Sequence, residues 1–181
     1  MVGETLCQYI QRLKVEKAAT QLVSCTRKPI TDIALDCGFS TPSVFARAFK
    51  ESFSMSASAY RFFSQLAKEE LAHRDNIDFQ RRLVRGAEPA LAHENELLPS
   101  IRAVIAEAKG LLADSVFSVD EALRAAHVLE SSAAERHAGV AITRAFPELQ
   151  SLMHSLSHAD RHHAEKIHAF ATVRGLALPG G

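Results

Sequence analysis

Residues 30–53 read ITDIALDCGFSTPSVFARAFKESF, and this stretch decides the fold of the first part of the chain. Its first eight residues predict a short helix that ends at Gly38, because glycine readily adopts the left-handed conformation found just after a helix. Ser40 or Thr41 can then cap a second helix that has Pro42 in its first turn. Two helices joined by a short turn with a glycine are typical of a helix-turn-helix, although any corner between two helices fits the same pattern.

The apolar residues of this stretch predict which faces pack together and which stay exposed. The buried contact between the two helices would be made by Ile33, Ala34, Phe45, Ala48 and Phe49. The second helix, at about Thr41–Ser52, would expose side chains on or near its outer face: Thr41, Ser43, Val44, Arg47 and Lys50. Upstream, residues 5–25 predict a long amphipathic helix from the spacing of Leu6, Ile10, Leu13, Ala18 and Leu22.

One segment closely resembles the C-terminal DNA-binding segment of the AraC/XylS regulator family in sequence. It reads YIQRLKVEKAATQLVS…PITDIALDCGFSTPSVFARAFKESFSMSASAYR. The resemblance covers roughly residues 8–61. It implies a linker helix followed by a helix-turn-helix whose second helix enters the major groove. Thr41, Ser43 and Val44 would then face bases, and Arg47 and Lys50 would meet phosphates or base edges. The family has two such motifs, and only Met1–Leu6 precede the linker helix here.

Charge and composition divide the chain into two unlike parts. The 181 residues contain 21 Lys and Arg against 21 Asp and Glu, but residues 1–62 carry 8 against 5 and residues 63–181 carry 13 against 16. All three cysteines lie in the first part and all nine histidines in the second. A net charge of only +3 predicts weak DNA binding unless the protein dimerises. The odd cysteine count and the absence of a long apolar run or signal pattern favour a reducing cytoplasmic location, away from the membrane.

The second part places carboxylates and histidines on predicted core faces. Glu70 and His73 fall on the apolar face of a helix predicted over Phe62–Leu83. Asp160 and His163 repeat this spacing within Pro147–Arg174. A third helix, opened by the capping-box pattern Ser118-x-x-Glu121, places Glu130 on its inner face. Charged groups that face a core are costly unless they are paired or bind a metal, and hydrogen-bonded core residues are the plainer explanation.

Three segments, LAKEELAH, ALRAAHVLESSAAERH and LMHSLSHADRHHAEKIHAF, resemble the second, third and fourth helices of the rubrerythrin-like branch of ferritin-like proteins. This resemblance covers about residues 62–172 and implies a di-iron centre, with manganese or zinc as alternative metals. The implied ligands are Glu70, His73, Glu130, Asp160 and His163. His137 would lie beside the metals. The first ligand helix of that family is missing, so Glu94, Glu96 or Glu107 of the connecting segment, or a second chain in a dimer with exchanged helices, would complete the site.

The sequence therefore predicts an all-α protein. A DNA-binding half-unit over residues 1–61 would precede a ferritin-like four-helix-bundle domain over residues 62–181 that lacks its own first helix. The predicted function is a metal- or redox-responsive transcription regulator that binds double-stranded DNA as a homodimer. One alternative is a rubrerythrin-like oxidoreductase that reduces peroxide or oxidises Fe(II), with electrons from an external donor and a vestigial N-terminal segment. The other is a degenerate bundle that only mediates dimerisation.

Overall fold

The computed structural model describes residues 5–83, 118–131 and 147–178, together with residues 99, 102–106, 109, 110 and 143. These residues form helices and turns and no strand, which confirms the predicted all-α class. None of the described helices is both long and apolar enough to span a membrane. The helices are α1 (Leu6–Ser24), α2 (Ile30–Asp36), α3 (Pro42–Phe53), α4 (Ala57–Leu83), α5 (Val119–Glu130) and α6 (Gln150–Val173).

The chain divides into two compact units, Met1–Ala72 and His73–Gly181, and the division falls inside α4. In the first unit α1, α2 and α3 pack against one another around an apolar core. The five residues predicted to join α2 to α3 are all buried in it, which confirms that prediction. The core consists of Val15, Ala18, Ala19, Leu22, Ile33, Ala34, Cys37, Phe39, Phe45, Ala48, Phe49 and Ala57.

Helix α1 begins with a capping box, in which the Thr5 hydroxyl accepts from the Gln8 amide at 3.3 Å and the Gln8 side chain accepts from the Thr5 amide at 2.9 Å. Its buried face is not the one that the apolar spacing indicated. Ala18 and Leu22 are buried as predicted, together with Val15 and Ala19. The other predicted apolar residues are exposed, namely Leu6, Ile10 and Leu13. At 100° per residue they lie opposite the buried face, so α1 has two apolar faces and only one packs in the described structure.

The turn between α2 and α3 has the predicted geometry. Helix α2 ends at Asp36, and Gly38 takes a positive φ of 81°, a conformation that L-residues with a side chain avoid. The Gly38 amide donates to the Leu35 carbonyl and the Phe39 amide to the Ala34 carbonyl. Thr41 caps α3, since its hydroxyl accepts from the Val44 amide at 3.2 Å. These local bonds set the direction in which α3 leaves the turn.

Aromatic rings connect α3 to the start of α4. Phe45 and Phe49 have ring centroids 5.4 Å apart, and Phe49 lies 4.6 Å from Phe53. The Tyr60 ring of α4 then packs against Phe53 at 4.9 Å and Phe49 at 5.4 Å. Such offset and edge-to-face pairs add to the burial of apolar area. The ring cluster therefore fixes the first turn of α4 against the helix-turn-helix.

In the second unit, α5 packs along α6. Helix α5 starts with the predicted capping box, in which the Ser118 hydroxyl and the Glu121 side chain each accept from the other residue's amide. Leu123 of α5 and Leu156, Ile167 and Ala171 of α6 are buried. Arg174, just after α6, pairs with Asp120 at 3.0 Å. The described residues establish this helix pair, and a complete four-helix bundle stays a prediction.

Candidate functional site

The outer face of α3 presents the polar and basic side chains expected of a DNA-contacting helix. Ser43, Arg47 and Lys50 lie on one stripe, and Val44 lies beside it. All of them are exposed, as is Thr41 at the N-cap. The opposite face of α3 carries its buried residues, Phe45, Ala48 and Phe49. The structure therefore places the five predicted DNA-contacting residues at the surface on or beside one helix face.

Two lysines of α1 form hydrogen bonds with the helix-turn-helix. Lys14 of α1 donates to the Gly38 carbonyl at 2.6 Å, and its ammonium lies 5.8 Å from the centroid of the Phe39 ring. Lys17 donates to the Asp36 carbonyl at 3.4 Å. Carbonyls at a helix C-terminus have no partner within the helix, so cations stabilise them. The sequence analysis did not identify these lysines, because their partners lie 19 and 24 residues away along the chain.

A second anchor joins α4 to the turn before α2. The Arg61 guanidinium donates to the Lys28 carbonyl at 2.8 Å, and burial lowers the pKa of Arg61. The Lys28 ammonium in turn pairs with the Asp36 carboxylate, whose hydrogen bond raises the pKa of Lys28. These two contacts connect the start of α4 to the turn before α2, and that turn to Asp36 at the end of α2.

In the second unit, two predicted metal ligands lie side by side. The imidazole rings of His73 and His163 are stacked, with centroids 5.3 Å apart and planes inclined by 23°. His163 is buried and His73 half-buried, and each offers a ligand nitrogen within 4.8 Å of the other. Glu70 lies one turn before His73 on α4 and offers an oxygen within the same distance of His73. The i, i+3 spacing thus places a carboxylate near one member of the imidazole pair.

The remaining predicted ligands have other positions. Glu130 of α5 is half-buried, and its Oε1 lies 3.6 Å from Nδ1 of His163. Asp160 is half-buried on α6, one turn before His163. Among the described residues, neither belongs to a group of three or more ligand atoms that all lie within 4.8 Å of one another. Glu94, Glu96, Glu107 and His137 lie outside the described residues.

Glu70 departs from the predicted inward orientation, because it is exposed. Leu66, one turn earlier on α4, is buried, whereas Glu70 and Ile77 are exposed. The apolar spacing of α4 therefore did not show which of these residues are covered.

The di-iron centre implied by the resemblance requires carboxylates that bridge two ions, in addition to one imidazole for each. The described group instead contains two imidazoles and one carboxylate. This donor set is the one that proteins use for a single zinc or ferrous ion with open coordination positions. The described group of three donors therefore suits one transition-metal ion, and the di-iron centre stays a prediction from the resemblance.

The other histidines of α6 form a separate exposed stripe. His154, His158 and His162 are all at the surface, as the sequence analysis predicted for solvated side chains. His162 lies 3.7 Å from the Glu165 carboxylate, which is also exposed. An exposed i, i+4 histidine pair can chelate a transition metal from solution, so any metal measurement has to account for this stripe.

Comparison with known proteins identifies the first unit. Residues 1–62 match the family model described as a helix-turn-helix domain. The chain is 39% identical over 62 residues to the probable transcriptional regulator LumQ of Photobacterium leiognathi, a match that covers 34% of this chain and 25% of LumQ. It is 38% identical over 58 residues to the regulatory protein SoxS of Salmonella typhimurium, covering 32% of this chain and 53% of SoxS. No solved structure matches the chain significantly.

The N-terminal part of the chain is therefore an AraC-type helix-turn-helix domain, as the sequence analysis predicted. The chain spans about a quarter of LumQ and about half of SoxS. The family match ends at residue 62 and does not extend into the histidine-containing part. The ferritin-like resemblance of that part accordingly stays a prediction from its residues.

Proposed function

We propose that this protein is a transcription regulator that binds double-stranded DNA through α3 and whose DNA binding responds to a metal ion at the His73–His163 pair. The observation that supports DNA binding is the exposed stripe of Ser43, Arg47 and Lys50 on the second helix of a helix-turn-helix domain. Such a helix lies in the major groove, where its N-terminal residues contact base edges. The names of LumQ and SoxS, which describe regulators, support the same role.

The chemistry of the stripe assigns a role to each side chain. The Arg47 guanidinium can donate two hydrogen bonds to a guanine edge or a phosphate, and Lys50 supplies a charge for a phosphate. The Ser43 and Thr41 hydroxyls accept or donate to either, and Val44 fits a thymine methyl group. One such helix makes few phosphate contacts. A homodimer on two half-sites, with the helices one DNA turn apart, would supply the rest of the affinity.

The response to metal rests on the donor set at the imidazole pair and on the course of α4. This single helix contains Arg61, which anchors the helix-turn-helix, and His73, which belongs to the imidazole pair. An ion that binds His73 restrains the helix that continues from the DNA-binding unit. A ligand shifts such an equilibrium only by its difference in affinity for the two states, and couplings of about 1–3 kcal/mol are typical.

The DNA-binding part is tested by selecting duplexes from a random pool with the full chain and measuring affinity by fluorescence anisotropy. We expect an enriched motif and an affinity that falls steeply as salt rises, since each neutralised phosphate releases counterions. The proposal would be contradicted if the selected duplexes shared no motif and bound the protein with the same affinity as unselected DNA.

The metal-responsive part is tested on the selected duplex. Affinity is measured for metal-free protein and after addition of Zn²⁺, Mn²⁺ or Fe²⁺, each in the wild type and in His73→Ala. A coupling of the usual size changes the dissociation constant about 5- to 150-fold in the wild type and leaves the variant unchanged. An equal affinity with and without each metal would remove the metal response and leave DNA binding intact.

A further inference from the structure

We infer that Glu70, His73 and His163 bind one divalent transition-metal ion per chain, and that Glu130 orients His163 instead of binding the ion. The inference deepens the proposed metal response and rests on it for its regulatory meaning. It concerns the number of ions and the role of each side chain, which DNA binding does not test.

Distances at the imidazole pair are compatible with a single ion. Ligand nitrogens at 2.0–2.1 Å from a tetrahedral metal lie about 3.4 Å from each other. The available atoms of His73 and His163 are already within 4.8 Å, so the pair has to close by at most about 1.4 Å. His163 is buried, whereas His73 is half-buried and Glu70 is exposed. Movement of the two more exposed side chains would bring all three donors to one ion.

The donor set also limits which ions fit. Two imidazoles favour zinc, cobalt, nickel or iron over magnesium and calcium, which prefer oxygen ligands alone. With three protein ligands, at least one position stays open for water or for another small ligand. The exposed carboxylate of Glu70 places that open position at the solvent side of the group.

Glu130 lies beside the buried His163, with its Oε1 3.6 Å from Nδ1, which is longer than a hydrogen bond. If His163 binds the ion through Nε2, its Nδ1 faces this carboxylate, which is the arrangement of a residue that orients a ligating histidine. Metal-ligating histidines usually have such a carboxylate partner, and its loss weakens metal binding about 10- to 100-fold without removing the site. A ligand role for Glu130 would instead change the number of protein donors.

The test is a titration of metal-free full-length protein with Co²⁺, followed by visible absorption and by calorimetry. All variants are made in a background in which His154, His158 and His162 are alanine, because this removes the exposed chelating stripe. We expect one Co²⁺ per chain, with d–d bands from a site of four or five ligands. His73→Ala is expected to weaken binding at least 100-fold, whereas His168→Ala, an exposed histidine of α6, is expected to have no effect.

Glu130→Gln separates the two roles of the carboxylate. The inference predicts one Co²⁺ per chain, a similar spectrum and an affinity about 10- to 100-fold lower. His163→Gln should lose binding; where circular dichroism shows that this buried variant unfolds, His73→Ala alone decides, because His73 is half-buried.

Several results would overturn the inference, and they differ in their consequences for the proposed metal response and for DNA binding. Two ions per chain in the background that lacks His154, His158 and His162, or full binding by His73→Ala in it, would reject the single-ion site and leave a metal response open. Loss of stoichiometric binding in Glu130→Gln would make Glu130 a ligand. Absence of any Co²⁺ binding in this background would reject both the site and the proposed metal response, while DNA binding through α3 would stand.

Discussion

The Lys14 ammonium of α1 donates a 2.6 Å hydrogen bond to the Gly38 carbonyl in the turn of the helix-turn-helix. This bond joins residues 24 positions apart. It connects α1 to the turn between α2 and α3, which sets the direction of α3. The Lys14 side chain is half-buried and its ammonium also lies over the Phe39 ring. The position of α3 thus depends on α1 as well as on its own turn.

Lys14→Met tests this contact, since methionine keeps most of the apolar stem and loses the donor. We expect the first unit to lose about 1 kcal/mol of unfolding free energy, the usual net value of such a hydrogen bond. Tyrosine emission is a suitable probe, because the chain has no tryptophan and its two tyrosines, Tyr9 and Tyr60, lie in the first unit. Lys68→Met, at an exposed lysine of α4, is the control and should stay within about 0.5 kcal/mol of the wild type.

Gly38→Ala should destabilise the same unit by about 1 kcal/mol. The positive φ of 81° costs a side-chain-bearing residue about 1–2 kcal/mol, and part of this is offset by the lower entropy of the unfolded alanine chain. The new Cβ would lie 3.4 Å from Cε of Lys14, which is flexible enough to move. Gly38→Asn is the matched variant, because asparagine tolerates this conformation better. Equal losses in both variants would show that the φ angle is not the cause.

Phe49→Ala should be far more costly, because Phe49 is fully buried and touches Phe45, Phe53 and Tyr60. Removing such a ring leaves a cavity, and losses of about 3–5 kcal/mol are typical. Leu6→Ala is the control: Leu6 is 73% exposed, and its loss should change stability by less than about 0.5 kcal/mol. Similar denaturation midpoints for the two variants would mean that Phe49 is not in the core.

The three thiols should differ in reactivity. Cys37 is buried, and this burial raises the pKa of its thiol, whereas Cys7 and Cys25 are exposed. Because the thiolate is the reactive form, a disulfide reagent at pH 8 should modify two thiols of the native protein quickly and the third only slowly. In denaturant all three should react at one fast rate. Three fast thiols in the native protein would contradict the described packing of α2.

The local signals around the turn were sufficient to predict it. Gly38, Thr41 and Pro42 each favour one backbone conformation, so α2, the turn and α3 followed from neighbouring residues alone. The capping box at Ser118 is equally local. The buried face of α1 was predicted incorrectly for Leu6, Ile10 and Leu13, because spacing shows that residues share a face but not whether anything covers it.

The two candidate sites also differ in how far the sequence alone predicts them. Exposure of Arg47 and Lys50 followed from their place on α3 opposite Phe45 and Phe49. The approach of His73 to His163 joins residues 90 positions apart, and only the resemblance to a bundle family suggested it. The 3.6 Å distance between Glu130 and His163 depends on side-chain positions that spacing does not determine.

The central claim is that α3 reads DNA, and the most direct measurement compares Arg47→Ala with the wild type on the selected duplex and on one with a scrambled site. Arg74→Ala is the matched control, because Arg74 is an exposed arginine of α4 that pairs with Asp75. We predict that Arg47→Ala loses about 1–3 kcal/mol of binding on the selected site, with a much smaller loss on the scrambled one. Arg74→Ala should bind both duplexes like the wild type. Equal affinities of Arg47→Ala and the wild type for the selected site would contradict the account.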